Sequence, residues 1–129
     1  MYAAIADPFA DIVALAQAAF EDVEFSVDDT PDRALLRLEA RYSPYRVSVT
    51  ELVSAEGRQY RYYVLRGDWI EAGFDNSPDP RAIRLKYGGI GQAHAGEPVP
   101  HLHRKNKAEL ILTDEITFVA FVNWLKTNL

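Results

Sequence analysis

From position 9 the apolar residues recur at helical spacing, with Phe9, Ile12, Val13, Ala16 and Phe20 on one face. Asp7-Pro8 precedes them as an N-cap acceptor followed by a proline at the first helical position. Together these predict a helix over 8–21. Val23, Phe25 and Val27 then alternate within an acidic stretch and suggest a short strand. From Arg33 the period is two. Ala34, Leu36, Leu38, Ala40 and Tyr42 point one way, and Arg33, Arg37, Glu39 and Arg41 the other, with Leu35 out of phase. Ser43-Pro44 turns the chain, and Tyr45, Val47, Val49 and Val53 alternate with Arg46, Ser48 and Thr50 as a second strand. Ala55-Glu56-Gly57 reads as a hairpin connection, Gln59–Arg66 as a third strand, Gly67-Asp68 as a tight turn and Trp69–Phe74 as a fourth strand. Consecutive strands with short turns imply an antiparallel meander.

After Asp75 the pattern loosens. Asp75-Asn76-Ser77-Pro78-Asp79-Pro80 is turn chemistry, Ala82–Tyr87 reads as a short strand, and 88–100 is a long irregular stretch. His101–Lys107 alternates weakly and Glu109–Leu112 is apolar. Thr113 or Asp114 is placed to cap a last helix with acids in its first turn, and Ile116, Val119, Ala120, Phe121, Val122, Trp124 and Leu125 give that helix a broad apolar face. The expected fold class is α+β: an N-terminal helix, a meander of about four to six antiparallel strands, and a C-terminal helix packed on one sheet face. The expected organisation is one domain over 1–129, with an acidic helical segment at 1–32, a sheet over 33–112 and the closing helix over 113–129.

A chain of 129 residues is the size of one domain, and an apolar fraction of 48 % with 26 % charged residues matches a globular chain rather than a disordered one. The absence of cysteine excludes disulfides, thiolate metal sites and a cysteine nucleophile. No apolar run approaches the roughly 20 residues that span a bilayer. The first twenty residues carry Asp7 and Asp11 and lack the positive start of a secretion signal. The expected setting is soluble and cytoplasmic, with no membrane partner. The net charge of −5 is unevenly spread: residues 1–32 carry −8, residues 33–107 carry +5 and residues 108–129 carry −2. One reading is a solvated surface of mixed sign. Another is a local phosphate-binding face, since charge is screened within about 10 Å in physiological salt, with the acidic first segment folding over that face or steering its ligand.

The residues that carry chemistry sit late in the chain. His101 and His103, two apart, share a face if extended, and Arg104, Lys105 and Lys107 follow them. Imidazole exchanges protons near neutral pH, and adjacent cations attract phosphate. That pairing suits metal-free cleavage of RNA: a base takes the 2′-hydroxyl proton, cations stabilise the phosphorane, and an acid protonates the leaving oxygen. Two other readings stay open. One is a metal site of His101, His103 and a carboxylate such as Asp75. The other is a polar strand near a sheet edge, with its histidines simply hydrogen-bonded or solvated. Asp75 and Asn76 could orient a histidine or a ribose, or could serve only the turn. Tyr60, Arg61, Tyr62, Tyr63 and Arg66 interleave rings and cations, which suits base stacking and also suits ordinary cross-strand pairing. Gly88-Gly89-Ile90-Gly91 lacks the lysine of a phosphate loop.

The order of these motifs resembles a known family. Tyr60-Arg61-Tyr62 in a strand, then Phe74-Asp75-Asn76-Ser77-Pro78, then Pro100-His101-Leu102-His103-Arg104-Lys105 and a closing amphipathic helix are similar to the TumE family of toxins of toxin–antitoxin pairs. The resemblance covers roughly residues 33–129. In that family an aromatic-Asp-Asn-Ala-Pro-His motif is followed by a Phe-Pro-His-His-Lys-His motif. Asp75 and Asn76 fall on the Asp-Asn pair, Pro100 on the proline, and His101 and His103 on the histidines. Ser77 replaces a small residue, Asp79 stands where a histidine is usual, and the stretch from Arg81 to Val99 is longer. The resemblance implies that the Asp75 loop and the His101 segment converge on one site, and that the partner is a small antitoxin encoded nearby. The functional expectation is a toxin acting on RNA. His101 and His103 would transfer protons, Asp75 would orient them, and Asn76, Arg84, Arg104 and Lys105 would contact substrate, with no metal or other cofactor. The alternatives are a non-catalytic protein- or nucleic-acid-binding module and a metal-dependent hydrolase.

Overall fold

The computed structural model describes residues 9–89 and 91–129. Its elements are α1 (Ala10–Ala19), β1 (Glu21–Asp29), β2 (Arg33–Tyr42), β3 (Tyr45–Ser54), β4 (Gly57–Arg66), β5 (Trp69–Asp75), α2 (Pro80–Tyr87), α3 (Gly91–His94), β6 (His101–Arg104), β7 (Glu109–Leu112) and α4 (Phe118–Asn128). The strands form a single sheet in chain order, each antiparallel to the next. This is the expected α+β meander, with seven strands among the described residues rather than four to six. The Asp7-Pro8 cap lies outside the described residues.

Register explains the layering. Leu38, Val49, Tyr62, Phe74 and Leu102 stand opposite one another in turn across five strands. Alternation puts Leu36, Val47, Val64 and Ala72 on the same face. That face forms the main core with Ala16 and Phe20 from the α1 segment and Phe118, Phe121, Val122 and Leu125 of α4. Rings meet there edge to face, as where Phe74 lies 5.1 Å from Trp124 at 85°. No helix among the described residues is long and apolar enough to cross a membrane.

Three expectations are corrected. Ala82–Tyr87 is helix α2, not a strand. Asp79 caps it by accepting from the Arg81 amide, Pro80 opens it, and Gly88 closes it at φ 80°. These local start and stop signals outweigh the short alternation. The last helix begins at Phe118 with Thr117 as its cap, not at Thr113 or Asp114. The preceding backbone is engaged elsewhere: the Thr113 amide donates to the Pro100 carbonyl, the Ile116 amide to Tyr60, and the Ile116 carbonyl accepts from Arg58. Of the acidic first segment, the described residues 9–32 do not fold over the histidine strand. They supply edge strand β1, whose Glu21, Asp22 and Asp28 pair with Arg41 and Arg33.

Beneath the helices an ionic knot runs from buried Glu51 through part-buried Arg58 to exposed Glu115. Arg58 holds Glu51 through Nε at 2.8 Å and Nη2 at 3.1 Å, Glu115 through Nη1 at 2.8 Å, and the Ile116 carbonyl at 3.0 Å. The Tyr62 hydroxyl donates to Glu51. Glu51 is 3 % exposed, so this pairing is what offsets its desolvation. Arg58→Ala is expected to cost about 3–5 kcal/mol of stability. Changing both Arg58 and Glu51 to apolar residues should recover much of that loss. Urea unfolding of the two variants and the parent measures both effects.

Candidate functional site

The opposite face of the sheet carries the polar constellation. Arg61, Asp75 and His101 stand opposite one another on β4, β5 and β6, and the adjacent row is Tyr63, Gly73 and His103. A pleat of period two therefore aims Asp75, His101 and His103 at the same side, away from α1 and α4. Gly73 is required for space. A Cβ there would lie 2.9 Å from the Tyr63 ring. The ring lies across this glycine, and its hydroxyl donates to Asp75 Oδ2 at 3.1 Å.

The turn after β5 shapes the rest. Asp75 Oδ1 accepts from the Ser77 amide at 2.7 Å and the Ser77 hydroxyl at 2.5 Å. This closes the turn and carries the chain to Asp79. Asp79 Oδ1 accepts from the Arg81 amide at 2.9 Å, while Oδ2 lies 3.9 Å from His101 Nε2 and 4.0 Å from His103 Nε2. One carboxylate thus begins a helix and faces both rings.

The rings meet at 3.1 Å, Nε2 to Nε2. His101 Nδ1 lies 2.6 Å from the Val99 carbonyl. A carbonyl only accepts, so Nδ1 carries a proton and Nε2 is the nitrogen turned to the cluster. That nitrogen is 3.6 Å from Asp75 Oδ1, and His103 Nε2 is 4.0 Å from Asp75 Oδ2. Buried His103 Nδ1 has no hydrogen-bond partner. His101 is 1 % exposed, His103 2 % and Asp75 3 %. Burial, His101 and Lys107 push the His103 ring down to about 4, against the pull of Asp75 and Asp79. His103 is therefore neutral at physiological pH, with a lone pair to offer. At Asp79 burial opposes the charge, but the Arg81 amide and the positive groups around it outweigh burial and hold the carboxylate below its usual range.

The structure thus brings Asp75, His101 and His103 together across 25 and more residues of intervening chain. It does not bring the expected substrate contacts with them. Asn76 is a backbone clamp: its Oδ1 accepts from the Tyr60 amide at 3.0 Å and its Nδ2 donates to the Arg58 carbonyl at 2.9 Å. Alternation turns Arg104 to the helix-covered face, where it donates to the Glu71 carbonyl and lies over Trp124. Lys105 pairs with Glu109 across the β6–β7 turn, and Arg84 is exposed in the last turn of α2. His94 stacks on Tyr87 at 3.6 Å and meets Glu97, apart from the cluster.

The groups that do surround the cluster are Asp79, Ser77, Tyr63, Arg61 and Lys107. Arg61 lies 4.0 Å from Asp75 Oδ2 and 4.9 Å over the Tyr63 ring, and Lys107 lies 5.5 Å from that ring. The helix-cap signal at Asp79-Pro80 was the clue to Asp79. Period-two alignment of β4 with β5 was the clue to Tyr63 and Arg61. Beside the cluster, Arg46, Ser48, Thr50, Arg61, Tyr63 and Leu65 line a shallow groove of about 150 Å³. No protein-family model, curated protein or solved structure matches the chain.

The contact between Gly73 and Tyr63 gives a direct test of this construction. Gly73→Ala is expected to destabilise the fold by about 1–3 kcal/mol through overpacking. In a Tyr63→Ala background the same change should cost much less. Thermal or urea unfolding of the four proteins in the cycle measures the coupling.

Proposed function

We propose that the chain acts on RNA as the toxin of a toxin–antitoxin pair, held in check by a small antitoxin protein. The observation that carries this reading is the meeting of the Asp75–Asp79 turn with His101 and His103. Those are the two stretches that the TumE resemblance implies should converge. Beside them the open sheet face supplies the groups that an RNA chain requires. Arg61 and Lys107 offer charge to phosphate, and the Tyr63 ring edges the groove that a base or ribose would enter. Asp79 is the cluster member that solvent reaches best, with 19 % of its side chain exposed against 0 % for His101. Substrate therefore meets the cluster at Asp79.

The reaction is transesterification. The 2′-oxygen attacks phosphorus, its proton passes to a base of the cluster, and the 5′-oxygen leaves with a proton. The products are a cyclic 2′,3′-phosphate end and a 5′-hydroxyl end. Arg61 stabilises the extra charge on the phosphorane.

Induced expression is expected to arrest growth with loss of RNA integrity, and His103→Gln is expected to abolish both. Purified Arg61→Ala should bind RNA more weakly, with the slope of log affinity against log salt reduced by about one. Cleavage retained in EDTA assigns proton transfer to the histidines alone. Cleavage lost in EDTA and restored by zinc assigns it to a metal centre. Arrest with tight binding and intact RNA favours a non-catalytic module. A protein that neither binds nor cuts RNA overturns the proposal.

A further inference from the structure

We propose that His101, His103 and Asp75 bind one divalent transition-metal ion of the zinc class, with Asp79 as a carboxylate facing the two rings beside it. The inference concerns the same cluster as the RNA reading but stands without it, because it rests on the arrangement of donor atoms alone.

Two imidazole nitrogens and the Asp75 carboxylate converge, and the Asp79 carboxylate faces both rings. The Nε2 atoms lie 3.1 Å apart. Their distances to the carboxylate oxygens run from 3.6 Å at Asp75 Oδ1 to 4.0 Å at Asp75 Oδ2 and Asp79 Oδ2. Those contacts are too long for hydrogen bonds. They fit a shared centre better. A tetrahedral ion with ligands at about 2.0–2.1 Å separates its donor atoms by roughly 3.3 Å, and the observed separations bracket that value. Asp75, His101 and His103 each offer a ligand atom within 4.8 Å of the others, and all three residues are buried.

The surroundings orient these donors inward. His101 Nδ1 is held by the Val99 carbonyl, and Nε2 is turned to the cluster. A histidine ligand fixed through its other nitrogen by a backbone carbonyl is the usual outer support of a metal site. His103 has no hydrogen-bond partner at Nδ1, and its Nε2 faces the cluster, 3.1 Å from His101 Nε2. Asp75 is braced from outside by Ser77 and Tyr63, and Asp79 by the Arg81 amide. The cations nearest the carboxylates also lie outside: Arg61 at 4.0 Å from Asp75 and Arg81 at 3.8 Å from Asp79. Two carboxylates facing this pair of rings are uncompensated unless a cation, a metal ion or a proton carried on the rings, sits among them. Two imidazoles with carboxylate select zinc, cobalt, nickel or ferrous iron over magnesium and calcium, which prefer sites built wholly of oxygen.

The test uses the purified full chain without RNA, stripped with chelator and titrated with zinc, cobalt, magnesium or calcium. Zinc is expected to bind at about one ion per chain. At zinc 100-fold above Kd it should raise Tm by roughly 5–10 °C. Cobalt should give the intense visible absorption of a low-coordinate nitrogen–oxygen site, while magnesium and calcium give no shift. Asp79→Asn is the informative variant, because asparagine caps a helix as well as aspartate does. It should fold normally yet lose zinc affinity roughly tenfold or more. His103→Gln should lose the Tm shift, and His94→Gln should keep it. No zinc-dependent shift, or one that is the same in Asp79→Asn and His103→Gln as in the parent, overturns the proposal. Such a result would leave a proton shared by the two rings as the cluster's only cation. Zinc binding without RNA cleavage would sink the RNA reading and leave this one standing.

Discussion

The antiparallel pairing of β5 with β6 is the constraint on which the molecule turns. It sets Asp75 opposite His101, Gly73 opposite His103 and Phe74 opposite Leu102. One register therefore builds both faces at once. Phe74 and Leu102 enter the core under the helices, and the residues between them are forced to the other side. A slip of one residue in β6 would bury the histidines beneath α4 and expose Leu102. The apolar energy that holds Phe74 and Leu102 down is thus also what aims two imidazoles and a carboxylate at one point. The site needs no separate scaffold, because it is the reverse side of the core.

The two faces solve the same problem differently. Under α1 and α4 the buried charges are matched pairwise, with the Arg58 fork holding Glu51, Glu115 and a carbonyl. On the other face Asp75 and Asp79 meet two imidazole rings, and their cationic neighbours Arg61 and Arg81 stand outside the cluster. The first arrangement is complete as it stands. The second leaves lone pairs facing inward, an arrangement suited to receiving a cation or a proton rather than to stabilising a fold. The contrast within one small sheet separates a structural ion pair from a site.

The strands from 33 to 74 were readable because period-two alternation is strong and the turns between them are short. Ile70, Ala72 and Phe74, alternating on one face, already announced which way Asp75 would point. The convergence of Asp75 with His101 was legible only through motif order, since 25 residues separate them and no local pattern encodes that pairing. Asn76, Arg84, Arg104 and Lys105 show where reasoning by proximity along the chain fails. Arg104 follows His103 directly, so the pleat sends it to the opposite face. Asn76 follows Asp75, and its amide serves the β4 backbone instead of a ligand. Tyr63 and Arg61 belong to the site because they are close in the sheet, and alternation against β5 would have found them. The helix at Pro80–Tyr87 was hidden by a length too short for its periodicity to register, although Asp79-Pro80 and Gly88 marked both ends.

Asp79 ties these levels together. Its Oδ1 starts α2, and its Oδ2 faces both histidines. The helix it starts is tied to the sheet by Arg81, whose Nη1 donates to the Lys107 carbonyl at 2.9 Å, and by a small apolar cluster. The apolar cluster beneath α2 consists of Ala82, Ile83 and Val99, with Leu110 packed against it. Burial of so few side chains contributes only a few kcal/mol, comparable with the entropy of ordering a handful of residues. The polar cluster therefore adds to the apolar packing and the Arg81 hydrogen bond in holding this segment to the second face of the sheet. Whatever occupies the space between the rings and the carboxylates acts on Asp79, and through Asp79 on the first turn of α2.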